Sequence, residues 1–102
     1  MELDAYVLET LMPDLVGHDH QPSAFLVYLY LWSRTRGQDA DEVSASLQQI
    51  AEGVGISRRA VQDAVARLAQ RQLIGVERMS ITAVPRYRVH RPWTRWMEGE
   101  KG

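Results

Sequence analysis

The 102-residue chain has no cysteine. Disulfides, thiolate metal sites and cysteine nucleophiles are thereby excluded together. This fits a reducing compartment without requiring one. Long apolar runs are missing too. The longest, Ala24 to Trp32, falls far short of the ~20 residues that a membrane span needs. The opening Met1-Glu2-Leu3-Asp4 is acidic where a signal peptide is basic, so a cytoplasmic location is expected. There is no glycine-rich phosphate loop, no nucleophile elbow and no pair of catalytic carboxylates on a plausible scaffold, so an enzyme is not expected. His18-Asp19-His20 are adjacent and loop-borne and lack metal-ligand spacing, so no metal or other cofactor is expected. Internal repeats and low-complexity tracts are absent as well.

What is present suits one globular domain over residues 1–102, with 45% apolar and 25% charged residues. The net charge of −1 conceals a division. Residues 1–56 carry two arginines against nine acids, and residues 57–95 carry nine arginines against two acids. Such a division arises from a polyanion partner on one face, or from chance clustering on a solvated surface.

Residues 1–17 read as an N-terminal helical extension. Leu3, Tyr6, Val7, Thr10 and Leu11 recur at helical spacing, Leu15 and Val16 can extend the apolar face past Pro13, Pro13 should end or kink the helix, and Gly17 is a stop signal. Asp19 or His20 is placed to cap a second helix, Gln21 to Thr35, with Pro22 in its first turn, Arg34 and Arg36 near its C-terminal dipole and Gly37 beyond. That helix is apolar all round, so both of its sides need cover. The first helix is expected on one side and a second copy of the chain on the other. Val43-Ser44-Ala45 reads as a short strand. Ser46-Leu47-Gln48-Gln49 matches a capping box that opens a third helix, with Leu47, Ile50, Ala51 and Val54 inward. Gly55 ends it in a tight turn, Ile56 plugs the core and Ser57 caps a fourth helix, Arg58 to Arg71. Val61, Ala64, Val65 and Leu68 form its buried stripe. A hairpin follows. Leu73 to Met79 carries Ile74 and Val76 on one face, and Arg86 to Arg91 turns Tyr87 and Val89 inward and Arg86, Arg88 and His90 outward. Ser80 to Pro85 lacks Gly, Asn and Asp, so it is a longer connection and not a two-residue turn. Residues 92–102 form a tail. Its Trp93 and Trp96 are expected against the N-terminal helices or a second chain.

Residues 46–91 thus read as capped helix, glycine turn, capped helix and arginine-flanked hairpin. Ser46-Leu47-Gln48-Gln49-Ile50-Ala51-Glu52-Gly53-Val54-Gly55-Ile56-Ser57-Arg58-Arg59-Ala60-Val61-Gln62 resembles the helix-turn-helix of bacterial winged-helix regulators, and Leu68 to Ile74 is similar to their exit into the wing. The resemblance implies a mainly α, winged helix-turn-helix fold: a three-helix core, an N-terminal helix and a small β wing. It also implies sequence-specific binding of double-stranded DNA by a transcriptional regulator. Where that family has glycine at positive φ, this chain has Gln72, which must adopt the same conformation at a cost of roughly 1 kcal/mol.

The major groove admits a helix. Arginine meets guanine O6 and N7 there, and glutamine meets adenine. At about 100° per residue, Arg59, Gln62, Asp63, Ala66 and Gln70 point away from the core, and Arg58 lies in the first turn. Arg59 and Gln62 are therefore assigned to base edges, and Ser57 and Arg58 to phosphate. Ala66 and Arg67 complete the helix surface. Arg78, Arg86 and Arg88 lie on the wing, within reach of backbone or minor groove. Asp63 has three readings: an acceptor for cytosine N4, a repeller of phosphate, or an intrahelical partner of Arg59 or Arg67. A homodimer on a two-fold related site, joined through the N-terminal helices and the Trp93/Trp96 region, is expected. Two other readings remain at this point: a winged-helix module for protein–protein contact or assembly, and the DNA-binding domain of a plasmid or phage replication initiator.

Overall fold

The computed structural model describes residues 4–35, 42–78, 80 and 84–91. After two π-helical segments, Val7–Leu11 and Pro13–His18, the elements are α1 Pro22–Thr35, β1 Glu42–Ser44, α2 Leu47–Val54, α3 Arg58–Gln70, β2 Ile74–Glu77 and β3 Arg86–Val89. No described helix is long and apolar enough to cross a membrane.

The N-terminal segment is helical, as expected, but Pro13 does not end it and its turns are π-helical. The chain stays helical through Met12 (φ −60°, ψ −56°) and Pro13, and past Gly17 to His18. Pro13 occupies the first position of the second π-helical segment, where a missing N–H is least costly. Its wide turn closes with Asp19 N–H donating to the Asp14 carbonyl at 2.9 Å. The left-handed residue that turns the chain away is His20 (φ 55°), not Gly17. Val7, Leu11 and Leu15 are buried.

α1 is the central post. Ala24, Phe25, Val27, Tyr28, Leu31 and Trp32 are buried, and the helix packs against the N-terminal segment, α2, α3, β1 and β3. The cover expected from a second copy is therefore supplied by the chain's own α2, α3 and sheet. Leu26, 45% exposed, is the large apolar side chain of α1 left in solvent. Tyr30 packs on α2: a Cβ added at Gly53 would clash with its ring. The absence of a side chain at Gly53 thus makes room for Tyr30 against α2.

α2 carries the expected capping box. Ser46 Oγ accepts from Gln49 N–H at 3.0 Å, and Gln49 Oε1 accepts from Ser46 N–H at 2.8 Å. Ile50 and Ala51 are buried, with Leu47, Val54 and Ile56 partly buried against the core. α3 buries Val61, Ala64 and Leu68, with Val65 half-covered beside them.

The strands form one antiparallel sheet in the order β1-β3-β2. Residues 43–44 of the expected short strand pair with β3, which places Val43 opposite Tyr87. Tyr87 and Val89 face inward as expected, whereas Val76 is 46% exposed. It lies opposite Tyr87, but β2 is an edge strand and gives it a neighbour on one side only. His90 is half-buried and not a plain surface residue. Its N–H donates to the Leu73 carbonyl (2.8 Å), and its own carbonyl accepts from Tyr28 Oη (2.8 Å). That hydrogen bond fastens the end of β3 to α1.

Candidate nucleic-acid interface

Two local devices aim α3. Gly55 (φ 87°) ends α2 in the left-handed region, with its N–H on the Ala51 carbonyl. Two residues later Ser57 (φ −72°, ψ 159°) turns its hydroxyl back to accept from Ala60 N–H at 3.0 Å. The chain needs only Ile56 between the two caps, so α2 and α3 meet across one tight corner.

The solvent face of α3 is the one the spacing specifies. Ser57, Arg58, Arg59, Gln62 and Ala66 are exposed, and Arg67 is half-buried. Arg67 Nη1 donates to Gln70 Oε1 at 3.2 Å. Asp63 is exposed on the same side, and among the described residues no salt bridge joins it to Arg59 or Arg67. The exposed surface thus presents two arginines, a glutamine and a methyl group at the end of a helix whose dipole is positive there.

The wing sits beside it, since α3 packs against β2. Arg78, Arg86 and Arg88 are exposed. Their surroundings differ. Arg88 lies opposite Glu42 and Gly75, and Arg86 opposite Ser44 and Glu77. Arg88 Nη2 donates to Glu42 Oε1 at 3.1 Å. Beneath, the buried Tyr87 phenol is pushed above its usual pKa by burial, against the opposing pull of Arg78.

Two more arginines of the basic half turn back onto the fold. Arg71, just past α3, donates from Nη1 to both oxygens of Asp19 (3.0 and 2.9 Å) and from Nη2 to Asp14. These carboxylates hold the Arg71 guanidinium above its ordinary range, the hydrogen bond it donates to Asp14 being the largest influence. Asp19 is held below the ordinary carboxylate range, chiefly by its hydrogen bond with His18 (Nδ1 to Oδ1, 3.1 Å) and further by Arg71 and Arg67, while burial opposes. Asp19 therefore does not cap α1. It ties the N-terminal segment to the exit of α3. Arg91 lies 5.3 Å over the Trp32 ring. Arg36, Gly37, Trp93, Arg95 and Trp96 lie outside the described residues.

The Arg71–Asp14–Asp19 bracket joins residues more than fifty positions apart, and no local pattern announces it. The Glu42–Arg88 pair follows only from the β1–β3 register, which a three-residue strand leaves open until its partner is known.

A family model described as a helix-turn-helix domain matches residues 21–74. A search of curated proteins finds no match. Among solved structures, the chain is similar to the AntR antimony-specific transcriptional repressor, with 20% identity and a TM-score of 0.52 over 90% of this chain and 79% of that one. That likeness shows the fold, a winged helix-turn-helix. The family match runs from α1 through α3 into β2 and takes in more than half of the chain, so this protein belongs to the helix-turn-helix domain family.

Proposed function

We propose that the chain binds double-stranded DNA sequence-specifically and acts as a bacterial transcriptional regulator in the cytoplasm, not as an enzyme. The observation that carries this reading is the exposed row Arg58, Arg59, Gln62 and Ala66 on a serine-capped helix of a helix-turn-helix domain. Arg59 and Gln62 read base edges, and Ala66 is suited to a thymine methyl. Ser57, Arg58 and the free N–H groups of the first turn take phosphate. Arg67, Arg78, Arg86 and Arg88 add phosphate or minor-groove contacts along the flanks. AntR is a transcriptional repressor, which supports a regulatory role. A thiolate site for a soft metalloid is impossible in a chain without cysteine, so the proposal does not extend to antimony.

The reading includes a homodimer. Leu8, Met12 and Val16 are 49, 41 and 38% exposed. They recur every four residues, which keeps them on one side of a helix with wide turns. A second copy covering this row would place two α3 helices on a two-fold related site. Sedimentation of wild type and Met12→Glu tests it: a dimer that the variant converts to monomer is expected, and a monomeric wild type at tens of micromolar refutes it.

Selection from a random duplex pool at two salt concentrations tests the function. A recovered motif with two related halves is expected, with affinity falling steeply as salt rises. No duplex retained even at low salt would exclude the proposal.

A further inference from the structure

The outward face of the sheet is not a plain cationic surface. Its two strand arginines, Arg86 and Arg88, each lie opposite a carboxylate on a neighbouring strand. Arg88 faces Glu42 on β1, and Arg86 faces Glu77 on β2. The first of these is a formed ion pair at 3.1 Å, with the arginine side chain 59% and the glutamate 31% exposed. All four side chains, with Gly75 and Val76, line one shallow depression of about 120 Å³. Arg58 and Arg59, by contrast, have no salt bridge among the described residues. The wing therefore carries one arginine already held by a carboxylate, Arg88, and a second, Arg86, that faces Glu77 across the sheet without a salt bridge among the described residues.

We infer that Glu42 and Glu77 are specificity-determining residues that restrain the sequence-independent hold of the wing on duplex DNA. The inference rests on the DNA-binding reading above. A phosphate that approaches Arg88 must displace the Glu42 carboxylate, and one that approaches Arg86 meets the negative charge of Glu77 on the facing strand, so the counterion release that drives indiscriminate binding is reduced. The Glu42–Arg88 pair is exposed, and exposed pairs are weak enough to open. A duplex held by the base contacts of α3 still engages the wing, whereas one with phosphate contacts alone gains little from it. The same two carboxylates also repel a misplaced strand.

The test compares wild type, Glu42→Gln, Glu77→Gln and Glu9→Gln, each as the full chain and each checked for an unchanged thermal melt. Glu9→Gln alters the net charge equally, but on the exposed N-terminal segment. Binding to a random-sequence duplex is measured by fluorescence anisotropy from 50 to 200 mM salt. Freeing one arginine should tighten random-duplex binding on the order of 5- to 10-fold near 0.1 M salt and steepen the salt slope by about one. Glu9→Gln should leave both nearly unchanged. Adding Arg88→Gln to Glu42→Gln should abolish the gain. If wild type binds duplex but the wing variants match it, or if Glu9→Gln tightens binding equally, the inference fails and the DNA-binding reading stands. If neither wild type nor any variant binds duplex, the DNA-binding reading itself fails.

Discussion

A glutamine at φ 60° makes the turn between α3 and β2. A side chain in the left-handed region is strained because its Cβ crowds the carbonyl that follows, and glycine is free of that crowding. The turn is kept because the residues around it are fixed by bonds that need it: Leu73 N–H on the Leu68 carbonyl at 2.9 Å, and His90 Nδ1 3.3 Å from the Gln72 carbonyl oxygen. Gln72→Gly should therefore stabilise the domain by about 0.5–1 kcal/mol in urea unfolding. No gain, or a loss, would mean that the glutamine side chain makes a contact worth as much as the strain. Asp19 gives a pH-dependent counterpart. Its carboxyl is held below the usual range by His18 first and Arg71 after it. A depressed carboxylate contributes stability that is fully present above its unfolded pKa and is lost as pH falls through the folded value. Asp19→Asn should accordingly be less stable than wild type at pH 7, and the difference should shrink below about pH 4. A difference independent of pH would assign Asp19 a packing role only.

At the scale of elements, the most exacting contact is the one between α1 and α2 at Gly53. Alanine there would gain helix propensity but push on the Tyr30 ring, which also carries the Arg34 guanidinium 5.0 Å from its centroid. In a Tyr30→Ala background, Gly53→Ala should stabilise by about 0.5–1 kcal/mol, and in wild type it should not, giving a coupling of at least about 0.5 kcal/mol. Equal effects in both backgrounds would show that the ring moves aside at no cost. Features of this size divide cleanly by legibility. The two serine caps, the Gly55 turn, the inward faces of α2, α3 and β3, and the strained Gln72 were readable because each is set by residues within four positions or by a family pattern. The π-helical turns of the N-terminal segment were not. The rules for Pro13 and Gly17 presume i→i+4 bonding, and the segment takes wider turns that absorb both residues. The cover of α1 was misjudged for a different reason. Periodicity shows that a helix needs cover on every side but not that α2, α3 and β3 are near enough to provide it.

For the whole molecule, the division of charge seen in the sequence is only partly a division of surface. Arg71 is taken by Asp14 and Asp19, and Arg88 by Glu42. What remains outward on α3 is a small set that includes Arg58, Arg59 and Gln62, the last two proposed above to meet base edges. The candidate site was legible because α3 has a strong period and a clear start. The Glu42–Arg88 pair was not, because register is a property of three strands together. The most direct measurement compares Arg59→Ala with wild type on the selected duplex and on each of its single base-pair variants. Wild type should discriminate by about 1–3 kcal/mol at the base pair that Arg59 reads, and Arg59→Ala should lose discrimination at that pair while keeping it elsewhere. An equal loss of affinity on every duplex, with discrimination intact at all positions, would contradict base reading by this face of α3.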